Sequence, residues 1–292
     1  MSKSVHIAVL MDESIESLQV KPGGTYVDGT FGGGGHSRAI AKKVGGSGTV
    51  IAIDQDAEVF DRATDWLSDF PIQAVQANFR KLPQILKELS IGPVDGILLD
   101  LGLSSDQLAD HDRGFSFHSQ GELDLRFDPS RGEPAWKLVN RLSSKHLADL
   151  IYRNSDERFS RRIAAKIVET RKEKPFRSVS EFVDVVRSVV PRSKNHSLDP
   201  ATRTLQALRI AVNDELGSLE DALRQFPRLL KPHGRFSVIS FHSLEDRKVK
   251  NAFRDNPQLN VITKKPIVAT EKELAINSRA KSAKLRVAER TW

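Results

Sequence analysis

Asp28 opens a run that reads Asp28-Gly29-Thr30-Phe31-Gly32-Gly33-Gly34-Gly35-His36. Consecutive glycines strip side chains from the backbone, let it approach a ligand closely and expose its N–H groups. Asp54 follows twenty residues after Gly34, at the end of the next apolar run, where a carboxylate can accept ribose hydroxyls. Either feature alone has a plain alternative, a flexible turn in one case and a helix cap in the other. Together they read as a nucleoside-type cofactor site. Position 37 is Ser37, so the G-x-G-x-x-G dinucleotide fingerprint is not met, and a G-x-x-x-x-G-K-[ST] phosphate loop is absent. S-adenosylmethionine is the cofactor that suits this pattern best, and a nicotinamide dehydrogenase suits it poorly.

A site of this kind needs a sheet whose strand ends present it. The runs 25–30, 49–54, 72–77, 94–102 and 234–241 are short, rich in β-branched residues and bounded by Gly, Pro or Asp, as buried parallel strands are. Helical segments around 36–44, 56–69 and 79–90 separate the first four. This alternation predicts an α/β fold with a doubly wound, Rossmann-like sheet. After Gly102 it breaks. Residues 106–135 are polar and Gly-rich, and helical patterns follow at 137–142, 144–153, 157–172 and 178–190, with Ser178 and Glu181 at capping-box spacing. A long amphipathic helix is expected over 201–230. The domain expectation is therefore a catalytic domain of residues 1–105 and 201–292, interrupted by an inserted helical, substrate-recognising domain of residues 106–200. The segments 260–270 and 283–291 can close the sheet as an antiparallel hairpin.

Charge separates along the same lines. The net charge is +7, with −4 in residues 1–105, +4 in 106–205 and +6 in 242–292. A basic excess away from an acidic cofactor half suits a polyanionic partner, although a basic inert surface would look the same. Cysteine is absent, which removes thiolate metal sites and any cysteine nucleophile. Methylation at pyrimidine C5, which usually needs such a nucleophile, is excluded, and N- or O-methylation remains. No run approaches a membrane span, and the start of the chain lacks the marks of a signal or transit peptide, so a cytoplasmic protein without a membrane partner is expected.

The motifs HIAVLMDES (6–14), VDGTFGGGGHS (27–37), AIDQD (52–56), DGILLDLGLSSDQL (95–108), RGFSF (113–117), LDLRFD (123–128), RFSRRIA (158–164), ATRTLQALRIAVNDEL (201–216), ISFHSLEDRKVK (239–250) and NSRAKSAKLRVAER (277–290) occur in this order along nearly the whole chain. On them the chain resembles the bacterial 16S rRNA (cytosine-N4)-methyltransferase family, also called RsmH or MraW. The resemblance implies a class I S-adenosylmethionine methyltransferase fold with an inserted helical domain. It places cofactor contacts on Gly34, Gly35, His36, Asp54, Phe79, Asp100 and Gln107. It also implies 16S rRNA of the small ribosomal subunit as substrate, with methylation of the cytidine conventionally numbered 1402, in the decoding region. The chain departs from the family in Ala8, where proline is usual, in GELDLRFD, and in Asn154-Ser155-Asp156, which replaces a usual Gly-Glu pair.

Many amino-methyltransferases carry an Asp/Asn-Pro-Pro-aromatic motif after the fourth strand, and here Asp100-Leu-Gly-Leu-Ser104 takes that place. Asp100 and Ser104 are the candidate polar lip of the catalytic pocket; alternatively, Asp100 binds cofactor only. Arg113, Phe115, Asp124 and Arg126 are candidates for gripping the target base or phosphate, with Phe115 or Phe117 able to stack a flipped-out cytosine. An Asp124–Arg126 ion pair and core phenylalanines are the plainer alternative. His242 begins a polar run, His242-Ser-Leu-Glu-Asp-Arg247, better suited to a pocket wall near the acceptor than to a metal, and no metal is expected. Arg161, Arg162, Lys166 and Arg171, with Arg279, Lys281, Lys284 and Arg286 in the tail, are the candidate RNA footprint. Two further readings stay open: an inactive RNA-binding assembly factor on this fold, and a small-molecule N-methyltransferase.

Overall fold

The computed structural model describes residues 8–110, 112–191 and 199–292. Residues 6 and 7 of the first motif lie outside them. The chain divides into two compact units, residues 1–104 with 216–292, and residues 105–215.

The first unit is built on a seven-stranded sheet of β1 (Thr25–Asp28), β2 (Thr49–Asp54), β3 (Ile72–Gln76), β4 (Val94–Asp100), β5 (Leu230–Ser240), β6 (Leu259–Val261) and β7 (Lys284–Arg290), in the order β3-β2-β1-β4-β5-β7-β6. The pairings from β3 through β5 are parallel, and β7 runs antiparallel to both β5 and β6. Successive side chains of a strand face opposite sides. Val27, Ile97 and Leu99 thus join one buried cluster, while Tyr26 and Leu98 join another beneath helix Gly35–Val44. Strands buried on both faces read as continuous apolar runs, which is why β1, β2 and β4 are plain in the sequence.

Three expectations are corrected. The run 72–77 is an edge strand, with Gln73, Ala74 and Gln76 exposed, rather than a buried one. The helix expected over 56–69 is two short pieces, Glu58–Asp61 and Thr64–Leu67. Between them the Thr64 hydroxyl donates to the Phe60 and Asp61 carbonyls and competes with the backbone ladder. The helix expected over 201–230 breaks at Asp214, whose φ of 49° ends helix Thr202–Asn213 in the left-handed region, before helix Glu215–Gln225. The division between the two units falls at that break.

The second unit is helical. Helix Ser144–Ser155 packs against Ser160–Thr170 and Thr202–Asn213, and Val179–Val189 packs against Ser160–Thr170. The capping box of Ser178 and Glu181 is present. Helix Ser144–Ser155 ends in left-handed Asp156, φ 53°, a conformation Asp tolerates better than most residues. The LDLRFD segment turns through Leu125 at φ 65° and is held by Asn213. The Asn213 amide donates to the Leu125 carbonyl at 2.7 Å, and its oxygen accepts the Phe127 N–H at 2.8 Å. Among the described residues no helix is long and apolar enough to cross a membrane.

Candidate active site

Three parallel strands, neighbours across the point where the strand order reverses, each end in a carboxylate: Asp28 on β1, Asp54 on β2 and Asp100 on β4. Open α/β sheets bind ligands at such a switch point, beyond the C-terminal strand ends. The glycine turn is stitched across it. Gly29 N–H donates to the Leu98 carbonyl and Phe31 N–H to the Ile53 carbonyl, both at 2.9 Å, so the turn continues the sheet toward β4 and β2. Gly32 N–H then donates to Asp54 Oδ2 at 2.8 Å. Gly34 caps helix Gly35–Val44 at φ 74°, and a Cβ there would fall 2.6 Å from the Trp66 ring, so glycine is required twice over.

Asp28 is fully buried. Its Oδ2 accepts the Ser37 hydroxyl at 2.7 Å and its Oδ1 accepts the Thr30 N–H at 3.1 Å, tying the strand end to the first turn of the helix. Thr30 Oγ1 in turn accepts the Asp100 N–H at 2.6 Å. The sequence names Asp28 and Ser37 only as flanks of the glycine run, although an Asp one residue before a glycine turn is itself the signal of a buried strand-end carboxyl.

Burial dominates the electrostatics. It pushes the Asp100 carboxyl up to about 8, helped by the negative charges of Asp28 and Glu245 and opposed by Arg279. It pushes Asp54 up to about 6 against the N–H bonds from Asp56 and Gly32, and it raises Asp28 as well. Asp100 Oδ1 is buried without a hydrogen-bond partner among the described residues. His36 Nε2 lies 3.1 Å from the Val9 carbonyl, which can only accept, so that nitrogen carries the proton in this arrangement. In neutral His36 the Nδ1 lone pair then faces Asp100 Oδ2 at 3.6 Å, which suits a protonated Asp100 better than a charged one.

The remaining candidates separate. Phe79 is buried in the main core against Phe226, and its Cβ lies beside Gly29. Ser104 is buried at the end of the turn after β4. His242 caps helix Ser243–Asp255 at the end of β5. Its Nδ1 accepts the Glu245 N–H, while the buried Glu245 carboxylate accepts the His242 and Phe241 N–H groups. Among the described residues no cluster of three or more His, Asp or Glu could hold a metal.

In the second unit Gln107 is buried on helix Ser105–Ala109. Arg113 donates to the Arg126 and Phe127 carbonyls and lies over Phe115, whose buried ring packs on Phe127. Asp124 and Arg126 form a bidentate pair at 2.8 and 2.7 Å within their own segment. Arg161 and Arg162 are exposed on helix Ser160–Thr170. Several of the basic residues expected to face RNA have partners within the protein. Arg286 is buried and bidentate to Asp246, and Arg171 donates to the Val139 carbonyl at 2.6 Å.

A sheet in this order, with one antiparallel strand between β5 and β6 and a glycine turn closed by strand-end carboxylates, defines a class I S-adenosylmethionine-dependent methyltransferase. Comparison with known proteins narrows the class. The profile of the MraW methylase family matches residues 3–291, and the chain belongs to that family. It is 47% identical to ribosomal RNA small subunit methyltransferase H of Rhodopirellula baltica, over 99% of this chain and 92% of that protein. It is 42% identical to the protein of the same name from Brevibacillus brevis, over 98% of each. Among solved structures, an rRNA methylase from Streptococcus thermophilus is similar at 11% identity and a TM-score of 0.45, covering 97% of this chain and 94% of that one.

The raised carboxyls carry a consequence for stability. In the ligand-free protein Asp100 keeps its proton up to a pH of about 8, whereas in the unfolded chain it loses it near its ordinary value of 3.8. Between those values the folded state binds more protons, so stability falls as the pH rises. Asp54 acts in the same sense up to about 6. Urea titrations of the ligand-free protein should therefore show a decline from about pH 6 to about 8 that Asp100→Asn flattens. An identical decline in the variant would contradict this account of Asp100.

Proposed function

We propose that the protein transfers the methyl group of S-adenosylmethionine to the exocyclic N4 amine of a cytidine in 16S rRNA, at the position conventionally numbered 1402 in the decoding region. The observation that carries the reading is a carboxyl at the acceptor end of β4, Asp100, with a buried oxygen lacking a partner, in a chain whose relatives along its length are named for small-subunit rRNA methylation. A ribosomal substrate puts the work in the cytoplasm, with the small subunit as partner.

The residues fit the cofactor. Each oxygen of Asp54 accepts one N–H and keeps lone-pair capacity for ribose hydroxyls. The Gly34, Gly35 and His36 backbone opens the helix that follows the glycine turn, and Phe79, in the turn after β3, lies beside Gly29. Three carboxyls raised by burial, Asp54 and Asp100 also by neighbouring carboxylates, are relieved by a cationic ligand, and S-adenosylmethionine carries both a sulfonium and an ammonium. When bound, it supplies a methyl group on a leaving group that is already activated, so the transfer asks for no metal.

What remains for the protein is alignment and proton handling. Cytosine N4 is a weak nucleophile because its lone pair is delocalised into the ring. Asp100, ionised once a cation offsets its burial, accepts one N–H of the amine and turns the lone pair toward the methyl carbon. The turn of residues 101–104 supplies backbone carbonyls and Ser104 to hold the other N–H. As the nitrogen forms its bond to carbon, the carbon–sulfur bond breaks with its electron pair on sulfur, and the nitrogen gives up a proton to Asp100 or to water. Gln107 belongs to this proposal as a cofactor contact. Residues 106–200 belong to it as the part that recognises substrate, through Arg113, Phe115, Asp124, Arg126, Arg161 and Arg162, and His242 as a pocket wall.

Methyl transfer from labelled S-adenosylmethionine to unmodified small subunits, followed by nucleoside mass spectrometry, should give N4-methylcytidine. A different methylated nucleoside would overturn the choice of atom, and no transfer with cofactor still bound would favour the assembly-factor reading. Changing Arg161 and Arg162 together to Ala should weaken RNA binding and reduce the salt dependence of affinity by about one to two ion equivalents. Cofactor affinity should stay intact; loss of both together would mean that the variant is misfolded.

A further inference from the structure

Arg279, in the basic tail, reaches the turn that follows β4. It lies in the 3-10 turn Ser278–Ser282, between the helix Glu271–Ile276 and β7. Its guanidinium donates to the carbonyl of Leu103, 176 residues earlier, in the turn that follows Asp100. Its positive charge also acts on the Asp100 carboxyl. A surface arginine awaiting phosphate would do neither.

Both ends of this bridge are stiff. Asn277 is buried, and its side-chain oxygen accepts the Arg279 N–H at 3.3 Å. Ala280 and Ala283, 1% and 2% exposed, seat the 3-10 turn in a cluster with Ile239, Leu285 and Val287. The Ile239 carbonyl accepts the Leu101 N–H at 3.0 Å, so the strand that anchors Arg279 also clamps the first residue of the turn it reaches. Between Leu101 and Leu103 stands Gly102 at φ 98°. Glycine allows this shape but does not enforce it, because it has the widest conformational freedom of any residue. The bond from Arg279 to the Leu103 carbonyl fixes what Gly102 leaves loose.

We propose that Arg279 is a positioning residue for methyl transfer, holding residues 101–104 in the shape whose carbonyls, with Asp100, receive the N–H groups of the acceptor amine. The inference rests on the reading of the acceptor as an amine. Arginine suits the task because its planar fork can hold a carbonyl with one N–H while presenting its charge to a neighbouring carboxylate. A lysine ammonium on a flexible stem keeps the charge but not the fork. Displacement of an acceptor by about 1 Å costs on the order of a hundredfold in rate, which is the scale on which a slack turn would be felt.

The test uses the full chain with Arg279→Gln and Arg279→Lys, read by amide hydrogen exchange without substrate and by kinetics on small subunits. In Arg279→Gln the amides of residues 101–104 should exchange about fivefold faster or more, while the core strands are unchanged. The same variant should lose about tenfold to a hundredfold in kcat, with KM for the RNA and affinity for S-adenosylmethionine within about threefold of the parent. Arg279→Lys should recover part of kcat. Unchanged exchange together with unchanged kcat in Arg279→Gln would overturn the proposal. So would a loss confined to KM and relieved at low salt, which would mark Arg279 as a phosphate contact. If Arg279→Gln melts far below the parent, Arg279→Lys decides: reduced kcat at parental melting upholds the positioning role, and full kcat refutes it. Should the parent methylate an atom other than cytidine N4, the reading of the acceptor fails, while exchange and kcat on the actual acceptor still judge Arg279. Should the parent transfer no methyl at all, the exchange of residues 101–104 judges it alone.

Discussion

Gly32 donates its N–H to one oxygen of Asp54, and Asp56 donates to the other. The first of these bonds exists only because β1 pairs with β2 in register, Asp28 beside Ala52, which brings the turn after β1 over the end of β2. The same arrangement sinks Asp28 among Ser37 and Thr30, and Thr30 reaches across to the Asp100 backbone. One network therefore ties three strand ends, a glycine turn and a helix start into a single rim. The rim is acidic and deeply buried. Asp100 and Asp54 are pushed toward the protonated state, and Arg279 is the cation that offsets Asp100. Folding has gathered carboxyls at the strand ends against the cost of burying them, and the apolar layers on both faces of the sheet offset that cost.

The strand ends were legible because each apolar run stops abruptly at an aspartate, and apolar runs of that length between helical segments have few alternatives to a doubly wound sheet. β3 was misjudged because its alternating Gln and apolar residues fit an edge, a position that only the strand order reveals. The break at Asp214 was hidden because the apolar spacing runs through it, while a left-handed aspartate leaves no mark in periodicity. The functional half reads less directly. Arg286 looked like a surface charge because its partner Asp246 lies 40 residues away, and Arg279 looked the same because its partner is a backbone carbonyl, which no composition rule can locate.

The helical unit repeats this lesson. In LDLRFD, Asp124 and Arg126 face each other, and Asn213 holds the left-handed Leu125 from the end of helix Thr202–Asn213, contacts that the sequence spacing does not show. That asparagine sits in the NDEL stretch, quoted above for its resemblance and given no role there. Its three short bonds, to Leu125, Phe127 and the Arg209 carbonyl, explain it as an organiser of the unit. Arg161 and Arg162, by contrast, are exposed on helix Ser160–Thr170.

The claim on which the rest stands is that the strand-end carboxyls are held partly protonated by burial until a cation arrives. Calorimetry of S-adenosylmethionine binding near pH 7, repeated in buffers of different ionisation enthalpy, tests it directly. The account predicts that binding releases protons, so that the observed enthalpy varies linearly with the buffer's. It predicts a smaller release for the demethylated product, whose sulfur is uncharged. Binding with no buffer dependence between about pH 6 and about pH 8 would contradict it, since neither Asp54 nor Asp100 would then be changing charge as the cofactor enters.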